Sequence, residues 1–136
     1  MARPTLLSAW IIVHPEEIGH SLSLYDDYGQ FQLPHNLVID ATGRIYVSDR
    51  ENQRVEVFDA NGKYLSEWDH IGGASSLIMT NDQHVWTGGV LHDLDGKVIG
   101  RLPGEGSTES HGGAVAANGD VYLGLLTGKV EKFLKQ

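Results

Sequence analysis

Two histidines and one arginine carry the chemical potential of this sequence. His35 follows Pro34, and His111 lies seventy-six positions later in Ser110-His111-Gly112. Imidazole is the commonest zinc ligand, and three protein ligands with one open position make a catalytic zinc site. Two histidines at equivalent points of a repeated unit are therefore candidate metal ligands, His35 and His111, with Ser75 at the same point of the unit between them. Arg50, in Asp49-Arg50-Glu51-Asn52, is the third candidate. A guanidinium fork binds a carboxylate through two parallel hydrogen bonds, so Arg50 suits a substrate-binding or charge-stabilising role. Taken singly, a histidine at a loop-to-strand junction is more commonly a hydrogen-bonded surface residue, and Arg50 reads equally as a solvated turn charge.

The elements that must position these groups are short strands. Leu37-Val38-Ile39 and Ile45-Tyr46-Val47 are apolar runs separated by the turn Ala41-Thr42-Gly43. Val55, Val57 and Phe58 form a third run after a polar loop, and Lys63 to Trp68 a fourth. Asn61-Gly62 is expected to supply the positive φ angles of a two-residue hairpin between the third and fourth strands. Four antiparallel strands in about forty residues make one propeller blade.

The pattern then repeats. A shift of forty places Ser75 on His35, Leu77 on Leu37 and Val85-Trp86 on Ile45-Tyr46. A shift of seventy-six places His111 on His35, Gly119 on Gly43 and Val121-Tyr122-Leu123 on Ile45-Tyr46-Val47. A shift of seventy-five sets Lys129-Val130-Glu131-Lys132-Phe133 over Arg54 to Phe58. Asp93-Leu94-Asp95-Gly96 matches the Asn61-Gly62 turn in the middle unit, and the last unit runs only to its third strand. The expected fold is all-β: an incomplete arc of about three four-stranded antiparallel blades, spanning about 31–70, 71–104 and 105–136. Residues 1–30 stand apart as an N-terminal segment. Its apolar run Leu6 to Val13 reads as a buried strand against the first blade in preference to a signal peptide, because His14-Pro15-Glu16-Glu17 offers no small-residue cleavage site.

Leu33-Pro34-His35-x-Leu37-x-Ile39-Asp40-x-x-Gly43-x-Ile45-Tyr46-Val47-x-Asp49, followed by Asn52-x-Arg54-Val55-x-Val57-Phe58, resembles an NHL repeat. Pro34-His35 with Asp49-Arg50-Glu51-Asn52 narrows the resemblance to NHL propellers of the peptidyl-α-hydroxyglycine α-amidating lyase type, over roughly residues 30–136. That resemblance implies a zinc ion held by histidines on alternating blades, two of them matching His35 and His111, and an arginine matching Arg50 aimed at a substrate carboxylate. The implied reaction is C–N cleavage of a C-terminal α-hydroxyglycine peptide to a peptide amide and glyoxylate. The family's third zinc ligand belongs to a blade outside this sequence, as does the tyrosine it uses near the reacting hydroxyl. Tyr25 and Tyr28 match no motif. Gly112 stands where the lyases carry an aspartate that binds a structural calcium, which puts that calcium in doubt. Gly124-Leu125-Leu126 replaces the polar Ser48-Asp49-Arg50. His14, His20, His70, His84 and His92 fall off the repeat position and are expected to be surface or packing residues.

Composition bounds the partners. Eighteen Asp plus Glu against ten Lys plus Arg leave a net charge of −8, with little attraction for phosphate backbones or anionic membranes. With no cysteine, there is no disulfide frame and no thiolate zinc site. No apolar run approaches a membrane span, and the compartment is open. A propeller closes with roughly four to eight blades, so two copies completing a six-bladed ring and a fragment of a longer chain are both expected arrangements. Two function classes stand side by side: a zinc-dependent lyase acting on a peptide or small molecule, and a non-catalytic NHL scaffold that binds a ligand or protein on one face, with an inactive fragment as a third.

Overall fold

The computed structural model describes residues 31–71, 75–103 and 110–136. Expectations for the Leu6 to Val13 run, His14, His20, Tyr25 and Tyr28 lie outside them. The described residues form three antiparallel sheets and no helix. The first contains β1 (Pro34–Ile39), β2 (Ile45–Asp49), β3 (Arg54–Phe58) and β4 (Tyr64–Trp68), paired in that order. The second contains β5 (Ile78–Met79), β6 (Val85–Thr87), β7 (Val90–His92) and β8 (Val98–Arg101). The third contains β9 (Ser110–Val115), β10 (Val121–Leu125) and β11 (Val130–Phe133). This is the all-β, three-sheet arc that the repeats predict.

One turn builds most of the connections. At Asp40, Asp59, Thr80, Asp93, Ala116 and Leu125 the backbone N–H bonds the carbonyl four residues on, while the N–H three residues on bonds back. This is a three-residue loop, a type I turn closed by a left-handed residue. Gly43, Gly62, Gly96, Gly119 and Gly128 take the left-handed position, and Gln83 takes it with φ 61°. Where the first residue is Asp, its Oδ1 accepts the N–H groups two and four residues on, as Asp59 does from Asn61 and Lys63. The expected two-residue hairpin at Asn61-Gly62 is thereby corrected: only Gly62 has positive φ, and Asn61 keeps an ordinary conformation. The two-residue hairpin lies instead between β6 and β7, where Thr87 pairs with Val90 and both Gly88 and Gly89 have positive φ. Its brevity removes from the second sheet the polar loop that carries Arg50 in the first.

Pleat alternation assigns the faces. Val38, Tyr46, Val55, Val57 and Trp68 turn toward the second sheet and pack with Leu77, Met79, Val85 and Leu94. Ile78, Trp86 and Leu102 turn toward the third and pack with Val115, Val121, Leu123 and Phe133. Trp68 stacks on His92 with ring centroids 5.5 Å apart and lies over Gly96, where a Cβ would come within 2.5 Å of the indole. By strand register Leu102 occupies the place of Trp68 in the second interface. The smaller side chain leaves a cleft of about 340 Å³ between sheets two and three, walled by Trp86, Leu91, Leu102, Val115 and Phe133. Two polar networks tie the first sheet internally. Asp40 accepts from Thr42, Arg44 and the Tyr46 hydroxyl. Arg54, buried in β3, pairs with Asp49, Glu56 and Glu67 at 3.0, 2.7 and 3.3 Å. No helix among the described residues is long and apolar enough to cross a membrane.

Candidate functional site

Each candidate histidine sits on a β-bulge. Along the β1–β2 pair, Pro34 opposes Asp49 and Asn36 opposes Ser48, so His35 has no partner of its own. Along the β9–β10 pair, Ser110 opposes Leu125 and Gly112 opposes Gly124, which leaves His111 in the same situation. A bulge's extra residue escapes the pleat alternation and its side chain is re-aimed. Pro34 and the left-handed Leu33 (φ 64°) fix the entry to the first bulge. Gly112, beside the second, has open space where a Cβ would stand.

The two bulges bring the imidazoles together. His35 Nε2 lies 3.1 Å from His111 Nε2, with the rings edge to face and their centroids 4.6 Å apart. On its other side, His35 Nδ1 lies 2.5 Å from the carbonyl oxygen of Ser75. A carbonyl only accepts, so Nδ1 carries the proton and donates, and Nε2 of the neutral ring presents its lone pair to His111. All three sheets thus contribute to one cluster through the same repeat position. Directly behind it, Ser76 Oγ and Ser110 Oγ are buried and 3.1 Å apart, joining the second and third sheets.

Two imidazole nitrogens at this separation require something between them. Without a cation, His111 Nε2–H donates to His35 Nε2. With one, both lone pairs face the ion. Tetrahedral zinc at ordinary Zn–N lengths sets its ligand nitrogens about 3.3 Å apart, close to the observed 3.1 Å. The carbonyl that fixes the tautomer of His35 is the outer-shell partner a metal-bound histidine normally has. The pair therefore fits as two ligands of a zinc ion, and among the described residues no third His, Asp or Glu joins them.

Arg50 leaves the first sheet at the same end as His35. Asp49 opposes Pro34, and the Arg50 N–H donates to the Leu33 carbonyl at 3.3 Å. Its half-buried side chain lies 3.7 Å from Glu51, a loose pairing that leaves the guanidinium fork usable. Asp49, Asn52 and Arg54 have a different role: Asn52 Nδ2 and Arg54 Nε both donate to Asp49 Oδ2 inside the sheet. Among the described residues, three histidines lie away from the repeat position. His70 is exposed, and His84 lies 3.5 Å from Asp82. His92 is buried against Trp68, and burial holds its pKa down more strongly than the backbone groups of Val85 and Val90 raise it.

Comparisons with known proteins bear on the repeat and the fold. Residues 31–58 match the NHL repeat. They hold all of β1, β2 and β3, together with His35 and Arg50. NHL repeat-containing protein 3 of Mus musculus is 45% identical over 57 residues, and its counterpart from Homo sapiens 39% identical over 57. Each alignment takes in 39% of this chain and 16% of the relative, so the chain spans a small part of the length of the curated relatives it matches. Among solved structures, a catalytically inactive variant of virginiamycin B lyase from Staphylococcus aureus with quinupristin superposes on 80% of this chain and 43% of its own, at TM-score 0.57 and 14% identity. A streptogramin B lyase covers 71% of this chain and 39% of its own, at TM-score 0.53 and 15% identity. The computationally designed Ika4 protein matches 71% of this chain and 62% of its own, at TM-score 0.53 and 17% identity. These likenesses establish an NHL repeat and a propeller-like fold. None of them singles out the amidating lyases.

Residue types alone do not disclose the bulges, the Ser75 carbonyl or the Ser76–Ser110 bond. Pro34 before His35 and Gly112 after His111 are the residues that mark the irregular backbone. A main-chain carbonyl leaves no signature in residue type.

Proposed function

We propose that this chain is part of an NHL-type propeller that holds a zinc ion through His35 and His111 and acts as a lyase on a peptide or small molecule bearing a carboxylate. The observation that carries this reading is the 3.1 Å approach of the two Nε2 atoms on alternate sheets, with His35 Nδ1 pinned by the Ser75 carbonyl. Zinc, when bound, supplies a Lewis acid that polarises a substrate oxygen. The chain's own residues hold and orient: the Ser75 carbonyl keeps the proton on Nδ1 and frees Nε2, and the paired bulges aim both rings at one point. Arg50, at the same end of the first sheet, grips the substrate carboxylate. The substrate that the resemblance implies is a C-terminal α-hydroxyglycine peptide, released as a peptide amide and glyoxylate. The direct test is glyoxylate release from such a peptide by the zinc-loaded chain. Loss of release in His35→Ala and Arg50→Ala supports the lyase, and no release above the metal-free control by the folded wild type rejects it.

A second reading is a non-catalytic scaffold. It is favoured by the lack of a third ligand among the described residues. In it the histidines share a proton and serve as a clasp between the first and third sheets. The two readings part on zinc: the scaffold predicts no zinc in purified protein and no change of melting temperature on adding it.

A further inference from the structure

Each of the two histidines follows a residue that is held in place, by different means. In the first sheet the residue before His35 is Pro34, whose ring fixes its φ angle. In the third sheet Ser110 takes the register position of Pro34. Ser110 has no ring, but its hydroxyl lies 3.1 Å from that of Ser76, and the two residues are only 3% and 1% exposed. On the other side of the first bulge, buried Ser48 closes the gap in the ladder. Its Oγ accepts from the Asn36 N–H at 2.9 Å and donates to the Asn36 carbonyl at 3.1 Å. At those positions the third sheet has Gly124 opposite Gly112, which brings no hydroxyl. The tether of the His111 bulge is instead the Ser76–Ser110 bond.

Ser76 is also the neighbour of Ser75, whose carbonyl accepts from His35 Nδ1. One dipeptide of the second sheet therefore holds both rings, the first directly and the second through the residue before it. We propose that Ser76 and Ser110 are positioning residues: their hydroxyl bond sets the His111 bulge against the dipeptide that fixes His35, and so sets the spacing of the two Nε2 atoms. The tolerance is small. The nitrogens are 3.1 Å apart, and a hydrogen bond is lost by about 3.6 Å, so a shift of about half an ångström parts the rings. A bulge interrupts the ladder that would otherwise hold the strand, and a buried hydroxyl pair restores the missing constraint. The inference rests on the meeting of the two rings, and only its consequence for zinc rests on the proposed function.

The test is nuclear magnetic resonance of the full chain, isotopically labelled at the histidine nitrogens, in metal-free buffer at about pH 8, where unperturbed imidazoles are neutral. The wild type shows an imidazole proton on His111 Nε2 that exchanges slowly and is coupled to His35 Nε2. Ser76→Ala combined with Ser110→Ala removes both partners of the bond and leaves no buried hydroxyl unpaired, so the variant keeps the near-ultraviolet circular dichroism of the wild type. In that variant the coupling disappears. Ser110→Ala alone loses it as well. Leu102→Ala, which disturbs the same pair of sheets away from the bulges, keeps it. Where zinc binds, both serine variants hold it about tenfold or more weakly. A coupling retained in either serine variant overturns the inference, as does its absence from the wild type or its loss in Leu102→Ala. A wild type that takes up no zinc contradicts the zinc reading alone, because the coupling is read without metal.

Discussion

His35 and His111, seventy-six residues apart, meet Nε2 to Nε2 at 3.1 Å because each is the unpaired residue of a β-bulge at the same point of its sheet. The convergence is a property of the repeat. Sheets stacked side by side carry equivalent strand positions to a common axis, and the bulge turns the side chain out of the pleat toward it. The second sheet, which has Ser75 at that point, contributes its main chain instead and fixes the tautomer of His35.

The first interface depends on Trp68, which fills the space between Tyr46, His92 and Gly96. Trp68→Ala should destabilise the chain by about 3–5 kcal/mol, read as a shift of the urea midpoint at unchanged slope. Gly96→Ala should also destabilise it. At φ 85° a side chain is strained, and its Cβ would collide with the indole. Leu102→Ala, at the equivalent place beside a cleft, should cost less than Trp68→Ala.

Asp40 ties the first turn to the sheet. Burial opposes its ionisation, but hydrogen bonds from Thr42, Arg44 and Tyr46 outweigh that and hold its carboxyl well below the usual carboxylate range. A depressed folded-state pKa contributes stability that is fully present above the unfolded value near 3.8 and is lost as pH falls below it. Asp40→Asn should therefore cost about 2 kcal/mol at neutral pH. In chemical denaturation the gap between the two proteins should narrow below about pH 4.

Burial lowers the pKa of His92. The unfolded chain then takes up a proton near pH 6.5 that the folded chain refuses, so the contribution of His92 falls as pH drops through that value. His92→Phe keeps the stack on Trp68 and removes the titration. Its stability relative to wild type should rise between about pH 7 and pH 5. A constant difference across that window would show that His92 takes up its proton as readily in the folded chain as in the unfolded one.

How far the sequence discloses this molecule depends on what residue type encodes. Alternating apolar runs and Asp-x-x-Gly turns repeat at fixed shifts, so the three sheets, their order and the seventy-five-residue offset of the third strand are all legible. The offset reappears in the register, with Val121 opposite Phe133 as Ile45 is opposite Phe58. The equivalence of His35 and His111 is legible for the same reason. Their bulges are not, because one extra residue in a ladder changes hydrogen-bond register without changing composition. Nor is the fit of Asn61-Gly62 to a three-residue loop. The dipeptide suits either turn, and the bulged Phe58–Tyr64 pairing decides between them. The signals of the two-residue hairpin at Gly88-Gly89 are its two adjacent glycines and the short spacing between the second and third strands.

The central claim is that the nitrogens of His35 and His111 face one cation. X-ray absorption at the zinc edge, on protein loaded with one zinc per chain, tests it most directly. The account predicts at least two imidazole ligands at about 2.0 Å, with zinc affinity falling at least tenfold in His35→Ala and in His111→Ala. Zinc taken up with equal affinity by wild type and both variants, or a spectrum with only oxygen neighbours, would contradict it.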